Sequence, residues 1–230
     1  SSFIFYFYGE PKYVLLMLFS IICTYIFGLL INKYKKHSKL FLTLFICISV
    51  GLLIYFKYIN FIIQNINLWL NNKIDFIHVA LPIGISFYTF QTMGYIIDVY
   101  RGKQSVEKNF CKLALFVSFF PQLVQGPISR FHDLSETLFS KHYFESNVVV
   151  SGLMRILWGY FKKVVIADRI ITGVTTLIHS PSEYQGAYVF IAMLFYAFEL
   201  YCDFTGGIDI TIGIAEVMGI RVTENFNLPY

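Results

Sequence analysis

A long apolar run near the start of the chain limits what it can fold into. Tyr13–Ile31 is almost unbroken in apolar residues, and about 20 such residues in a helix cross the hydrocarbon core of a bilayer. Further apolar windows follow. Of the 230 residues, 57% are hydrophobic and only 14% are charged, whereas soluble domains carry about 25% charged residues. The sequence therefore predicts an all-α, polytopic integral membrane protein.

Basic loops between the apolar runs predict the topology. The loop Asn32–Lys39 holds lysines and no acidic residue, which places it in the cytoplasm by the positive-inside rule. The chain then returns through Leu40–Phe56, and Ile59–Leu70 is typical of an amphipathic or partly spanning helix. A further span is predicted over Phe76–Ile97. Its exit loop, Asp98–Lys103, is also basic, so we expect both loops on one side of the membrane.

An interrupted apolar segment follows the second basic loop. Phe110–Arg130 is apolar enough for a membrane but contains Pro121, Gly126 and Pro127. Proline removes a backbone donor and clashes with the preceding turn of a helix. Non-helical backbone at membrane depth is tolerated only when it is buried in protein or lines a wet cavity. We therefore predict a broken, re-entrant element that belongs to a functional site.

The last third of the chain mixes polar and apolar segments. Phe131–Ser146 is polar and is predicted as an interfacial connection. Val148–Ile166 is apolar but carries three cations, which favours a horizontal or tilted helix at the cytoplasmic surface. Gly186–Cys202 is predicted to span the membrane. Phe204–Ile220 contains embedded acidic residues, so it must be shielded from lipid or only partly inserted.

Three long blocks of the sequence carry a family pattern. They are LPIGISFYTFQTMGYIIDVYRGK at Leu81–Lys103, FVSFFPQLVQGPISR at Phe116–Arg130, and YCDFTGGIDITIGIAEVMGIRVTENFNLPY at Tyr201–Tyr230. In order and spacing they resemble the membrane-bound O-acyltransferase (MBOAT) family over nearly the whole chain. The second block is most similar to the alginate O-acetyltransferase branch, rather than to the D-alanyl transferases of teichoic acid.

The resemblance implies an enzyme with a helical ring around a narrow tunnel through the membrane. An acyl donor, acetyl-CoA or an acyl-carrier type, would arrive from the cytoplasm as a substrate, and a hydroxyl acceptor from outside, with no bound cofactor. The family's catalytic histidine follows an Asn-Phe-Asn-x-Pro-Tyr sequence, which here ends at Tyr230. The catalytic histidine is therefore expected beyond Tyr230. Residues 1–230 are predicted to form a single membrane domain, truncated at both ends and inactive alone.

Each histidine of the chain is a candidate base, because acyl transfer to an alcohol needs a group that takes the hydroxyl proton. His37 lies in the lysine loop and His179 stands beside Ser180, so both are predicted to be solvated. His132 and His142 are predicted at the surface, and His78 could be interfacial. None has the deep placement that marks an intramembrane functional group. No metal site or disulfide framework is predicted either, because the four cysteines form no close pair.

Two acidic residues lie inside an apolar stretch. A charge there is costly unless it is paired or hydrated, and Asp203 and Asp209 are six residues apart, on different faces of a straight helix. Gly206 and Gly207 make a straight helix doubtful. The two acids could give polarity to the tunnel or position the histidine's segment; alternatively, they form structural pairs with an arginine or with freed backbone donors. Arg130 is predicted as such a partner, or as an anchor for an anionic donor group.

The remaining site candidates surround these acids. Gln125–Pro127 could line the tunnel with amide donors, or could be a buried turn that lets helices pack. Asn225 and Tyr230 are interpreted as part of a cytoplasmic or re-entrant loop that leads toward the site. The predicted tunnel- or site-lining residues are Gln125, Gly126, Pro127, Arg130, Tyr201, Asp203, Asp209, Asn225 and Tyr230.

The sequence thus predicts a multi-pass protein of the cytoplasmic membrane that transfers an acyl group, acetyl by preference, to an extracytoplasmic polysaccharide such as alginate or another exopolysaccharide. Its expected partners are membrane lipid, the acyl donor and extracytoplasmic proteins that relay acetyl groups, but no nucleic acid. A transporter or channel is the alternative, because broken segments and intramembrane acids also mark substrate pathways. That alternative predicts inverted repeats, and the sequence shows none. A non-catalytic assembly subunit is the other alternative.

Overall fold

The computed structural model describes residues 2–70, 74–77, 79–180 and 182–224, which form helices and connecting loops without a strand. The prediction of an all-α protein is confirmed. The helices are α1 (Ser2–Gly9), α2 (Val14–Lys33), α3 (Ser38–Leu53), α4 (Ile59–Leu70), α5 (Ile85–Tyr100), α6 (Phe110–Val117), α7 (Phe120–Val124), α8 (Phe131–Leu138), α9 (Ser146–Tyr160), α10 (Asp168–His179) and α11 (Ala187–Val217).

Within the described ranges, three continuous helical stretches are long and apolar enough to cross a membrane. They are Pro11–Lys33 with 23 residues, Lys35–Trp69 with 35 residues and Ala187–Val217 with 31 residues. At about 1.5 Å per residue, each exceeds the roughly 30 Å of a hydrocarbon core. The first contains the predicted span Tyr13–Ile31, and the third covers the predicted span Gly186–Cys202 except for Gly186.

The second stretch joins two segments that were predicted as separate helices. Leu40–Phe56 and Ile59–Leu70 belong to one uninterrupted helical rod, in which a π-helical turn, Ile54–Tyr58, connects α3 to α4. The predicted boundary rested on the polar residues that follow it. Polarity by itself does not end a helix, and no proline interrupts the hydrogen-bond ladder between these segments.

The span predicted over Phe76–Ile97 starts later than expected. Residues 74–77 and 79–84 are not helical, and α5 begins only at Ile85. The reason is a turn at Gly84, whose φ of 73° lies in the left-handed region. A Cβ at this position would lie 2.4 Å from the carbonyl oxygen of Leu123. With 16 residues, α5 is about 24 Å long and shorter than the bilayer core.

Two asparagines of α4 hold the extended segment before α5. The amide of Asn60 donates to the carbonyl of Ile77 (2.9 Å) and accepts from its N–H (3.0 Å). Asn67 makes the same pair of bonds with Ile74, both at 2.9 Å. Asn67 is one of the polar residues that favour an amphipathic interpretation of α4, and together with Asn60 it satisfies backbone groups of a neighbouring segment.

The element predicted to be broken is broken, but not at its first proline. The helix α6 ends at Val117 and α7 begins at Phe120, so Pro121 lies in the first turn of α7, where its missing N–H costs no helical bond. Residues 125–130 are not helical. The re-entrant path through a membrane remains a prediction. The polar connection predicted from Phe131 to Ser146 contains the helix α8.

The chain divides into two compact units. Unit 1 consists of Ser1–Val124 with Ile128–Ser135, and unit 2 consists of Gln125–Pro127 with Glu136–Tyr230. Unit 1 therefore contains α1 to α7, and unit 2 contains α9 to α11. The single membrane domain over residues 1–230 stays a prediction.

Unit 2 is built around a long antiparallel helix pair. One member runs from Ser146 to His179, because a π-helical turn, Phe161–Ala167, joins α9 to α10. The other member is α11. It is one continuous helix through Gly206 and Gly207, so the predicted separation of Gly186–Cys202 from Phe204–Ile220 is wrong.

The glycines of α11 lie where the two helices of the pair pack closely against each other. A Cβ on Gly159 would lie 2.6 Å from the carbonyl oxygen of Gly206, and a Cβ on Gly152 would lie 2.8 Å from that of Gly213. The two glycines of each helix are seven residues apart, or about two turns, so both fall on one face. Small residues at matching positions let the two backbones approach closely, as they do in membrane helix pairs.

Candidate functional site

Charged side chains face one another along the contact between α11 and the helix Ser146–His179. Arg155 Nε donates to Asp209 Oδ1 at 3.0 Å, and Arg155 Nη1 donates to Glu224 Oε1 at 2.7 Å. Lys162 also pairs with Asp209, and Lys163 with Asp203. This ion-pair cluster comprises three cations and three carboxylates: Arg155, Lys162, Lys163, Asp203, Asp209 and Glu224.

Asp209 is the best shielded acid of the cluster. Its side chain is 17% exposed, and its partners Lys162 and Arg155 are 14% and 27% exposed. Charges removed from water must be compensated by good geometry, because the desolvation penalty rivals the Coulomb attraction. The guanidinium of Arg155 meets this requirement with two carboxylate partners, Asp209 and Glu224.

The Asp203 pair is more open to solvent. The side chains of Lys163 and Asp203 are 36% and 35% exposed, so screening weakens their attraction. Lys162 and Lys163 both lie in the π-helical turn that follows α9. Such turns add a residue to the local winding and are frequent at functional sites.

Both acids form ion pairs, as the structural interpretation predicts; a role in the polarity of the tunnel or in positioning the histidine's segment stays a prediction. The arginine that binds Asp209 is Arg155, whereas the predicted partner Arg130 is exposed. The backbone carbonyl of Arg130 accepts from the N–H of Leu134 at 3.2 Å and so starts α8. A role of Arg130 as an anchor for an anionic donor stays a prediction.

The segment Gln125–Pro127 is fastened to the middle of α11. The Gln125 amide donates to the carbonyl of Phe204 at 3.4 Å, and the hydroxyl of Thr211 donates to the carbonyl of Gln125. A Cβ on Gly207 would lie 2.1 Å from Gln125 Oε1, so the amide lies directly on the glycine. This geometry is that of a buried turn which packs against a helix. Tunnel lining by the same residues stays a prediction.

An open cleft of about 690 Å³ lies beside the ion-pair cluster in unit 2. Arg155 and Glu224 belong to both, and His142, Glu216 and Arg221 line the cleft as well. The cleft surrounds the end of α11 and the residues that follow it, up to the last described residue. Its polar side chains carry both signs of charge, so the cleft offers hydrogen-bond donors and acceptors without a clear preference for anions or cations.

Comparison with known proteins decides the family. The chain is 34% identical over 239 residues to the probable alginate O-acetylase AlgI of Pseudomonas syringae pv. tomato, an alignment that covers 100% of this chain and 45% of that protein. It is 31% identical over 258 residues to the peptidoglycan O-acetyltransferase of Helicobacter pylori, with 100% of this chain and 49% of that protein covered. No family model matches the chain.

This chain belongs to the MBOAT family. A more distant relative is the teichoic acid D-alanyltransferase of Bacillus subtilis, 26% identical over 151 residues that cover 64% of this chain and 38% of that protein. The proteins named O-acetylase and O-acetyltransferase have higher identity to this chain than the D-alanyltransferase has. This order agrees with the similarity of the second sequence block to the alginate O-acetyltransferase branch. The MBOAT chain spans about half the length of the curated relatives it matches. With its three candidate spans, it is a membrane protein.

None of the six residues of the ion-pair cluster is a histidine, and the described histidines of this MBOAT chain lie at the surface. His37, His132, His142 and His179 are exposed, and His78 lies outside the described residues. His142 is the one that lines the cleft, where its Nδ1 would lie 2.9 Å from a Cβ on Gly219. The ion-pair cluster therefore supplies no imidazole base of its own, and a positioning role for it stays a prediction.

Three predicted site residues remain, Tyr201, Asn225 and Tyr230. Tyr201 is half-buried on α11, and its carbonyl accepts from the hydroxyl of Thr205 at 2.8 Å. Asn225 and Tyr230 lie outside the described residues.

The three cations of the ion-pair cluster, Arg155, Lys162 and Lys163, were not predicted as site residues. Arg155 and Lys162 are seven residues apart, like Gly152 and Gly159, and this shared spacing was the signal for one helix face.

Proposed function

We propose that the whole protein transfers an acyl group, acetyl in the first instance, to hydroxyl groups of an extracytoplasmic polysaccharide. The observation that carries this proposal is full-chain identity above 30% to proteins named alginate O-acetylase and peptidoglycan O-acetyltransferase. Alginate and peptidoglycan both present sugar hydroxyls outside the cell. A transporter is not favoured, because the relatives are named for group transfer.

The reaction needs four events. A base takes the proton of the sugar hydroxyl, and the hydroxyl oxygen bonds to the acyl carbon. The bond from that carbon to the donor sulfur breaks, and the thiolate leaves with a proton. We assign the base to the histidine expected beyond Tyr230. The donor, acetyl-CoA or an acyl-carrier type, would enter from the cytoplasmic face of the cytoplasmic membrane, and relay proteins would act outside it.

The residues described here would contribute by holding α11 and the segment that follows it in place. The ion-pair cluster holds α11 against the helix Ser146–His179, and Gln125 is fastened to the same stretch of α11. Glu224 joins the cluster through Arg155 and directly precedes Asn225, where the Asn-Phe-Asn sequence begins. The cluster therefore supports the segment that leads toward the proposed base.

The test uses the full-length protein in vesicles with isotope-labelled acetyl-CoA and two acceptors, alginate oligosaccharides and peptidoglycan fragments. Transfer of label to either acceptor is the expected result, and alanine at the histidine beyond Tyr230 should abolish it. A folded protein that binds donor and acceptor but moves no label would refute the assignment. Movement of an intact solute across the vesicle membrane, without acylation, would favour the transporter.

A further inference from the structure

Unit 1 gathers two basic loops at one of its ends. The first loop joins α2 to α3, and the second follows α5. Tyr13, at the start of α2, donates its hydroxyl to the carbonyl of Ala80, just before α5. Near the other end of α2, a Cβ on Gly28 would contact Val106 at 3.3 Å and Ile96 at 3.6 Å. The helices α2 and α5 are therefore parallel, and the loops that follow them emerge together.

A hydrogen bond also joins α2 to the second loop. The hydroxyl of Tyr25, on the last turns of α2, donates to the carbonyl of Lys108 at 2.8 Å. We call the exposed cations at this end the basic face. It consists of Lys33, Lys35, Lys36, Lys39, Arg101, Lys103 and Lys108.

The basic face has little internal compensation. The sequence contains no aspartate or glutamate between Glu10 and Asp75. Near the second loop, Asp98 is half-buried, and the carboxylate of Glu107 accepts the N–H of Asn109 at 2.8 Å. In the part of the chain that the structure describes, the ion pairs involve other cations. The positive charges of the face therefore point to a partner outside unit 1.

The position of the face indicates which partner. Its first loop joins two helices long enough to cross a membrane, and their flanks are apolar and exposed, with Leu15 at 73% and Leu40 at 56%. Tyr34 lies between the lysines, and the ammonium of Lys33 is 5.3 Å from its ring centroid. Tyrosines and long cationic side chains are enriched at the level of lipid headgroups.

We propose that the basic face binds the headgroups of anionic phospholipids. A lysine or arginine near an anionic leaflet raises the local preference for such lipids by about fivefold, and the effect fades within about a Debye length. Seven such groups, on two adjoining loops and the helix ends beside them, form a surface that recruits anionic lipid around unit 1. This inference does not depend on the proposed acyl transfer.

The test compares matched charge removals in the full-length protein. The variant K35Q/K36Q removes two charges from the face. The control K12Q/K57Q removes two exposed charges elsewhere on the same spanning stretches, at the start of the first and in the π-helical turn of the second. Each protein is reconstituted into phosphatidylcholine vesicles that contain phosphatidylglycerol in both leaflets, so its orientation does not matter. Spin-labelled phosphatidylglycerol and phosphatidylcholine report the relative affinity of each lipid for the protein.

The wild-type protein should prefer phosphatidylglycerol, and K35Q/K36Q should reduce that preference by at least about fivefold. K12Q/K57Q and the charge-conserving K35R/K36R should both retain it. Equal preference in all four proteins would overturn the proposal. Loss of acetyl-CoA binding in K35Q/K36Q, with lipid preference unchanged, would assign the face to a soluble anion and overturn it as well.

Discussion

At the scale of single residues, Asp209 shows how a charge is tolerated in an apolar helix. It lies on a stretch of α11 whose neighbours are mostly apolar, and it is compensated by Arg155 at 3.0 Å and by Lys162. Loss of the carboxylate would leave two partly buried cations facing each other. The cost of breaking such a pair comes mainly from the charge that remains.

We therefore expect Asp209→Asn to lower the free energy of unfolding by about 3 kcal/mol. Asp203→Asn is the matched control. It breaks a pair that is about one third exposed, so the expected loss is at most about 1 kcal/mol. Thermal unfolding in detergent, followed by tryptophan fluorescence, measures both. Equal losses for the two variants would contradict the difference in shielding.

Gly84 tests the turn that delays α5. Gly84→Ala places a Cβ 2.4 Å from the carbonyl of Leu123 at a φ of 73°, and both effects destabilise the folded state. We expect a loss of about 2 kcal/mol or more. Gly94→Ala, inside α5 with open space around it, should be neutral or slightly stabilising. The same unfolding assay compares them, and an unchanged G84A protein would refute the turn geometry.

At the scale of helices, the approach of α9 to α11 depends on glycine. Gly159→Ala places a methyl group 2.6 Å from the carbonyl of Gly206, so the helices must separate. We expect destabilisation of about 1–3 kcal/mol. Gly173→Ala in α10 meets nothing within 4 Å and should not destabilise, because alanine favours a helix. A G159A protein as stable as G173A would show that the close contact is not needed.

The distribution of charge on α9 bears on its orientation. Arg155 and Lys162 face α11, whereas Leu153, Leu157 and Trp158 are 49%, 64% and 56% exposed. Polar residues inside and apolar residues outside are typical of a helix surrounded by lipid. The sequence favours a horizontal or tilted helix at the cytoplasmic surface. Antiparallel packing along α11, a candidate span, makes an orientation across the membrane the alternative.

Trp158 reports on this orientation directly. In a variant whose other tryptophans, including Trp69, are replaced by phenylalanine, we expect phospholipids brominated deep in their acyl chains to quench its fluorescence. Iodide in the aqueous phase should quench it weakly. The reverse order would support the prediction of a horizontal surface helix, because an interfacial tryptophan is accessible from water.

At the scale of the whole molecule, topology follows from where the basic loops emerge. Unit 1 brings the loops after α2 and α5 to one end, and the positive-inside rule assigns that end to the cytoplasm. The sequence predicted the same shared side from two separate loops. The contacts of Gly28 with Ile96 and Val106 agree with that prediction.

Labelling with an impermeant maleimide tests this topology. In a full-length variant without other cysteines, His37→Cys and Ser105→Cys should react only from the cytoplasmic side. Asn65→Cys, which is exposed near the far end of the Lys35–Trp69 rod, should react only from the opposite side. Labelling of H37C and S105C from different sides would contradict the parallel arrangement of α2 and α5.

Several features could be predicted because they reside in short stretches of sequence. The apolar run Tyr13–Ile31 predicts a spanning helix from length and hydrophobicity alone, and the lysines of Asn32–Lys39 predict its orientation. The three blocks predict the family because their residue order is preserved. These properties do not depend on which segments meet in space, so composition and order were enough.

Only the tertiary structure decided how the helices end and which charges pair. Gly206 and Gly207 stay helical because Gly159 and Gln125 pack against them, a contact invisible in local sequence. Asp209 pairs with Arg155 and Lys162 because the antiparallel contact sets the register between two distant segments. Propensity and charge are local, whereas register is fixed by packing between segments far apart in the chain.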